Sequence, residues 1–287
     1  MSETTENKRT SSVLNSLPMA FDAGDEDILR SAYMALEHPS MAARLSSVVG
    51  TPIEIAVHLL PKAWYQRIHA VAEQAITKSL QTALSTMHSR EFRAHELYHK
   101  ALVASSGGIA GFFGLPGLLV ELPVTTTLML RAIAEIARDE GENINDVQTQ
   151  MACVQVFALG GTTESDDGAE TGYYGVRVAL SAYMKAAYLQ VLDQGFKAES
   201  GPVVIKVASL IASRFGATVS QRAAAQIMPV VGALGAATVN MIFMQHFQSV
   251  ARAHFTVRRL ERKYGEEFVR SIYSKLEQED QLKRSSR

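Results

Sequence analysis

Helical periodicity dominates this chain and predicts an all-α fold, a bundle of roughly ten helices. Three observations carry that reading. Apolar residues recur at intervals of three and four through most of the sequence. Alternating runs of β-branched and aromatic residues, the mark of strands, are scarce. Proline and glycine fall where periodic stretches begin and end.

The helices follow in order. "DEDILRSAYMALEHP" has a cap at or before Asp25, an apolar face of Ile28, Leu29, Ala32 and Leu36, and Pro39 as its stop. "TPIEIAVHLLP" is a short helix with Pro52 in its first turn. From Ala63 helical periodicity runs for some forty residues, with a break near Ser89; Ile68, Val71, Ala75, Leu80 and Leu84 mark one side. Beyond a glycine-rich stretch, Pro123 restarts a helix that Gly141 ends. "NINDVQTQMACVQVFALGG" forms the next, closed by Gly160 and Gly161. A polar loop, "TTESDDGAETG", leads to an amphipathic helix, "YYGVRVALSAYMKAAYLQVLD". "PVVIKVASLIASRFG" follows, with Pro202 near its start. The long run from Ser220 to Gly265 breaks at Pro229 and Gly232, and a charged helix begins near Glu266. The expected organisation is one helical domain, residues 18–275. A disordered polar tail (1–17) precedes it and a frayed one (276–287) follows it.

Composition narrows the function. With 287 residues, 47% hydrophobic and a net charge of −1, the chain has a sizeable core and no global basic field for nucleic acid. A single cysteine, Cys153, excludes an internal disulfide and a multi-thiolate zinc site; it reads as a small core residue. The polar N-terminus has no apolar signal stretch, so a cytoplasmic location is expected.

Two stretches stand apart. No charge lies between Lys100 and Glu121, and none between Arg222 and Arg252 with His246 neutral. Each passes the length test of about 20 residues for a membrane span. The first is rich in glycine, and the second carries Gln226, Asn240, Gln245 and Gln248, so neither is a good span by content. Small residues allow close helix packing instead, with Gly107, Gly111, Gly114, Gly117, Gly232 and Gly235 as the candidate contacts. A packed core and an interfacial membrane element both fit this pattern. After the second stretch comes "RAHFTVRRLERK". Its Arg252, Arg258, Arg259, Arg262 and Lys263, with Phe255 and Leu260 as apolar anchors, are expected to face an anionic membrane surface or a membrane partner.

These stretches resemble the bacterial EcsC protein family. The resemblance rests on "GGIAGFFGLPGLLVELPVTTTLMLRAIAEIAR", "CVQVFALGG" with "DDGAETGYYGVR", and "MPVVGALGAATVN" with "HFQSVARAHFTVRRLERKYG". It implies an α-helical bacterial protein, membrane-associated or cytoplasmic, of a family named for its genetic linkage with an ABC transporter. It implies no reaction and no catalytic residue.

Several groups invite chemistry. "HELYH" matches the zinc-peptidase pattern: His95 and His99 would share a metal on one helix face, with Glu96 as general base. Glu135 or Glu121 would supply a third ligand. Glu121 closes an apolar run and needs a partner if buried. Arg131, Glu135 and Asp139 form a stripe at one-turn spacing, so an internal polar cluster of Glu121, Arg131 and Glu135 is expected. Glu164, Asp166, Asp167 and Glu170 form an acidic loop suited to capping the next helix, with Tyr173, Tyr174 and Arg177 packed below it. His246 and His254 share a helix face as core residues. Phosphate-binding and nucleophile-elbow motifs are absent from the sequence. The resulting expectation is a non-enzymatic accessory protein at the inner face of the cytoplasmic membrane, engaging lipid or a membrane partner. A zinc hydrolase built on HELYH and a soluble scaffold for a hydrophobic ligand are the alternatives.

Overall fold

The computed structural model describes residues 21–85, 114–161, 172–194, 201–228 and 232–286. Its described elements are all helices: α1 (Ala23–Glu37), α2 (Met41–Val49), α3 (Ile53–His58), α4 (Lys62–Ser85), α5 (Gly114–Asp139), α6 (Val147–Leu159), α7 (Tyr173–Gln194), α8 (Pro202–Ile227), α9 (Gly232–Tyr264) and α10 (Glu266–Ser285). The all-α expectation holds.

Helix α6 is the axis of the bundle. Every residue from Thr149 to Ala158 is buried. An α-helix apolar all round must be enclosed on all sides, and α4, α5, α7, α8 and α9 all pack against it. Its aromatic centre is Phe157, which meets Phe215 of α8 edge-on with centroids 5.1 Å apart and Phe247 of α9 at 5.5 Å. Cys153 is buried here, and burial pushes its thiol up to about 12, so it stays protonated. That fits a core residue.

Three helices end where glycine takes a left-handed backbone; Gly141 is a predicted stop, while α2 and its Gly50 end were not expected from the sequence. Gly50, Gly141 and Gly265 have φ of 74°, 82° and 89°, and they end α2, α5 and α9. At Gly141 the amide donates to the Arg138 carbonyl and the next amide, of Glu142, donates back to Ala137. This closes the helix end as a C-terminal glycine motif does.

Three expectations change. Pro123 does not start a helix; it lies inside α5. Helix α7 is not amphipathic: Val178, Ala179, Ala182, Tyr183, Ala186 and Leu189 are exposed on its outer side, with Lys185 among them. The C-terminal stretch continues as helix through Ser285 rather than fraying at 276, because Val269, Tyr273 and Leu276 are buried against the body. The predicted tail 1–17 lies outside the described residues.

Candidate functional site

Helices α5, α8 and α9 bring together the edges of the two uncharged stretches. Arg222 of α8 is fully buried. Its Nη2 donates to Glu121 Oε1 of α5 at 2.8 Å and to Asn240 Oδ1 of α9 at 2.8 Å, and its Nε donates to the same Asn240 oxygen at 3.1 Å. Gln226 Nε2 adds a third donor to Asn240 Oδ1 at 3.1 Å, and Thr125 Oγ1 donates to Glu121 Oε1 at 3.0 Å. The guanidinium lies over the Phe243 ring, 4.9 Å from its centroid, where the ring quadrupole favours a cation. Burial lowers the pKa of Arg222, and Glu121 opposes that shift. One guanidinium nitrogen, Nη1, is buried without a partner. The cluster is a single internal ion pair bracketed by amides, with one donor left over.

Beside it runs an apolar strip. Pro116, Val120 and Val124 follow each other at one-turn intervals on α5 and all are exposed, Val120 by 79% and Val124 by 44%. Residues 116–139 and 202–227 are long and apolar enough to cross a membrane by composition, yet 33% of the first is buried against 56% of the second. The second apolar stretch, 223–251, is divided between the end of α8 and the first part of α9, in line with the break expected at Pro229 and Gly232.

The predicted cluster of Glu121, Arg131 and Glu135 is corrected. Glu121 pairs with Arg222, while Arg131 Nε pairs with Glu135 Oε1 one turn on at 3.3 Å. A shared helix places residues only at set angles, and Glu121 and Arg131 are ten positions apart, out of step with the three- and four-residue spacing of one face. Asp139 is exposed. His95, Glu96 and His99, Gly107 and Gly111, and the acidic loop of Glu164, Asp166, Asp167 and Glu170 lie outside the described residues. Among the described residues no group of three or more His, Cys, Asp or Glu side chains could hold a metal ion.

In the basic stretch the two expected apolar anchors are corrected, and four of the five cations have carboxylate partners while Arg262 and Lys263 stay exposed by 42% and 51%. Arg258 pairs with Glu142 at 2.8 Å and Arg259 with Glu140 at 2.8 Å; Arg262 also pairs with Glu142, and Lys263 with Asp25 at 2.6 Å. Phe255 and Leu260 are fully buried. Arg252 is exposed beside a groove of about 360 Å³ between α1 and α9, lined in part by Asp27, Ser31, Ala253 and Thr256. The charges that a linear reading aims outward are met by carboxylates from the α5–α6 loop and α1. Those partners lie more than a hundred residues away in sequence, so local spacing does not disclose them.

Two further networks were not visible as sites. Arg214 of α8 donates from Nε to the Ala158 carbonyl at 2.9 Å and from Nη2 to the Gly161 carbonyl at 2.7 Å. His246 Nε2 donates to the Gly160 carbonyl at 2.6 Å, with its pKa lowered chiefly by burial. Together they meet the Ala158 carbonyl in the last turn of α6 and the carbonyls of the two glycines that follow it. A Cβ on Gly160 would lie 2.7 Å from the Phe247 ring, and one on Gly161 2.6 Å from the Arg214 carbonyl carbon. The tight glycines of the described fold are therefore those of "ALGG", together with Gly216 against His69 and Gly201 against the Gln190 side chain; Gly117 and Gly235 are half-buried. In the second network Arg177 makes a two-pronged pair with Glu261 at 2.6 and 3.0 Å, and Tyr174 donates to Glu261 at 2.8 Å. Arg177 also donates to the Tyr173 hydroxyl, which meets His254 Nδ1 at 2.9 Å. Glu37 accepts from the Tyr173 amide at 2.9 Å and the Tyr273 hydroxyl at 2.7 Å. These contacts dock the start of α7 onto α1, α9 and α10.

This is an all-helical domain with several buried polar networks and part of its apolar surface exposed. The chain belongs to the EcsC protein family, whose model matches residues 35–260, most of its length. The chain matches no curated protein and no solved structure.

Proposed function

We propose that this EcsC-family chain is a membrane-associated accessory protein that acts by contact with a bilayer, at the cytoplasmic face. The observation that carries the reading is the exposed strip of Pro116, Val120 and Val124 on a helix apolar enough to enter lipid. Keeping such a strip in water costs about 25 cal/mol per Å², and an acyl environment removes that cost. The apolar outer side of α7 supports the same reading. The family's linkage with an ABC transporter supports a transporter in the same membrane as the partner.

The mode of contact follows from the corrected basic stretch. Arg258, Arg259, Arg262 and Lys263 are engaged by the protein's own carboxylates, so attraction to anionic lipid is a minor term. The purified protein is expected to float with phosphatidylglycerol–phosphatidylethanolamine vesicles and to stay bound at about 1 M salt, where the Debye length is about 3 Å. The double variant Val120→Glu/Val124→Glu should lose vesicle binding by tenfold or more, since each glutamate is costly in hydrocarbon. Full binding by that variant, or no flotation of the wild type, overturns the reading. Release by salt alone would return the contact to electrostatics.

A further inference from the structure

The strip sits on a helix that is built to bend. Proline at position 123 has no amide proton, so the Leu119 carbonyl loses its intrahelical donor, and the ring presses on that same turn. The next turn adds two back-bonding threonines. Thr126 Oγ1 donates to the Leu122 carbonyl at 2.7 Å and Thr127 Oγ1 to the Pro123 carbonyl at 2.8 Å. Side-chain bonds to the carbonyl four residues back weaken and bend a helix. Bending devices thus cluster at Leu119–Thr127, while Thr125 turns to Glu121. On the N-terminal side of this joint lie Pro116 and Val120, exposed, and Leu118 and Leu122, buried. The polar hold on this part of α5 is the Glu121–Arg222 bond at 2.8 Å. It is an incomplete hold, because Arg222 Nη1 has no acceptor.

We propose that Gly114–Leu122 is a hinged arm, latched to α8 by Glu121–Arg222, that swings about Pro123 to lay its apolar side into the bilayer surface, with the released Glu121 held at the headgroup level where its carboxylate stays hydrated. The proposal rests on the membrane reading and deepens it by naming its regulated part. In the latched state the arm offers lipid only its outer strip. Release also offers Leu118 and Leu122, whose exposure to water is unfavourable and whose transfer to acyl chains is not. The latch therefore holds in water and opens against lipid. Arg222 keeps Asn240 when Glu121 leaves, so the cation is not stranded without an acceptor.

The test has two arms. Hydrogen exchange of the 114–122 amides in solution reads the latch without any membrane. Glu121→Gln should speed that exchange about tenfold or more, the worth of a charge-assisted bond. Pro123→Ala restores the missing amide and should slow it. Glu135→Gln removes the same charge from the same helix beyond the joint, and should leave it unchanged. Vesicle flotation then reads the consequence: E121Q binds more tightly than wild type and P123A more weakly. If all three variants exchange at the wild-type rate, the latch is wrong even where vesicles bind. If exchange responds as expected and no protein floats, the arm stands and the membrane reading falls. Global unfolding of E121Q would appear as faster exchange in α6 as well, and that result overturns the local latch.

Discussion

Glu142→Gln tests whether the basic stretch is held inward. Glu142 lies in the α5–α6 loop with its side chain 6% exposed. It accepts from Arg258 Nε at 2.8 Å, Arg258 Nη2 at 3.1 Å and Thr149 Oγ1 at 3.0 Å, and from Arg262 as well. Glutamine keeps the volume but removes the charge and turns one acceptor into a donor facing a guanidinium. Taking one partner from a buried pair costs about 3–5 kcal/mol. Arg258 and Arg262 remain 25% and 42% exposed, so water recovers part of their solvation, and exposed pairs contribute only about 0–1 kcal/mol. About 2 kcal/mol is the expected loss near neutral pH. That corresponds to a fall of roughly 4–6 °C in Tm. The pH dependence sharpens the test. Burial raises the Glu142 pKa, but the Arg258 bond, the charges of Arg258 and Arg262, and Thr149 outweigh it and hold it below the ordinary 4.5. The folded state thus binds this proton less readily than the unfolded chain. Its contribution is complete above 4.5 and drains as pH falls through the lowered folded value. Urea unfolding at about pH 7, 5 and 3.5 should show the gap between wild type and E142Q narrowing with acid. A gap that stays constant with pH, or one under about 0.5 kcal/mol throughout, would refute the inward pairing.

Two more outcomes follow from the buried networks. Gly161→Ala sets a methyl against the Arg214 backbone, which cannot rotate away, and should cost about 1–3 kcal/mol in thermal or urea unfolding; an unchanged Tm would mean α6 and α8 are further apart. His254 is fully buried, and burial, then the charges of Arg177 and Arg258, hold its pKa well below 6.5. Its lowered pKa means the unfolded chain takes the proton first, so stability declines as pH drops below 6.5 by up to about 1.4 kcal/mol per pH unit. His254→Gln should flatten that slope between about pH 6.5 and 5; equal slopes in both proteins would reject a buried neutral imidazole.

The helices were legible because their signals are local. Periodicity marked α1 and α4, and Gly141 and Gly265 marked the ends of α5 and α9, whereas α2 with its Gly50 end was not read. Helix α7 misled because its outer side is apolar, so a pattern taken as amphipathic had no polar face. The Glu121 partner was not legible in the local pattern, since Arg222 is 101 positions away. A signal existed nonetheless. Glu121 closes one uncharged stretch and Arg222 opens the other, with opposite signs at facing edges. The same distance hid Glu140 and Glu142 from the basic stretch: 116 to 120 positions separate each pair.

Comparing α5 with α6 shows why the exposed strip matters. Both are apolar helices joined by one short loop, and of the two α5 is long enough to cross a membrane by composition. In α6 the residues from Thr149 to Ala158 are all buried, and Arg214 and His246 meet the carbonyls of Ala158, Gly160 and Gly161 at its end. In α5 an outer row of apolar residues is uncovered, its inner polar contact is one ion pair, and its backbone is interrupted at Pro123. A helix meant only for the core gains nothing from an internal proline, an ionised carboxylate beside its buried leucines, or valine turned to water. The proposed exchange of protein contacts for lipid contacts would use all three: the proline would set where the helix bends, the carboxylate what holds it, and the valines what it meets first.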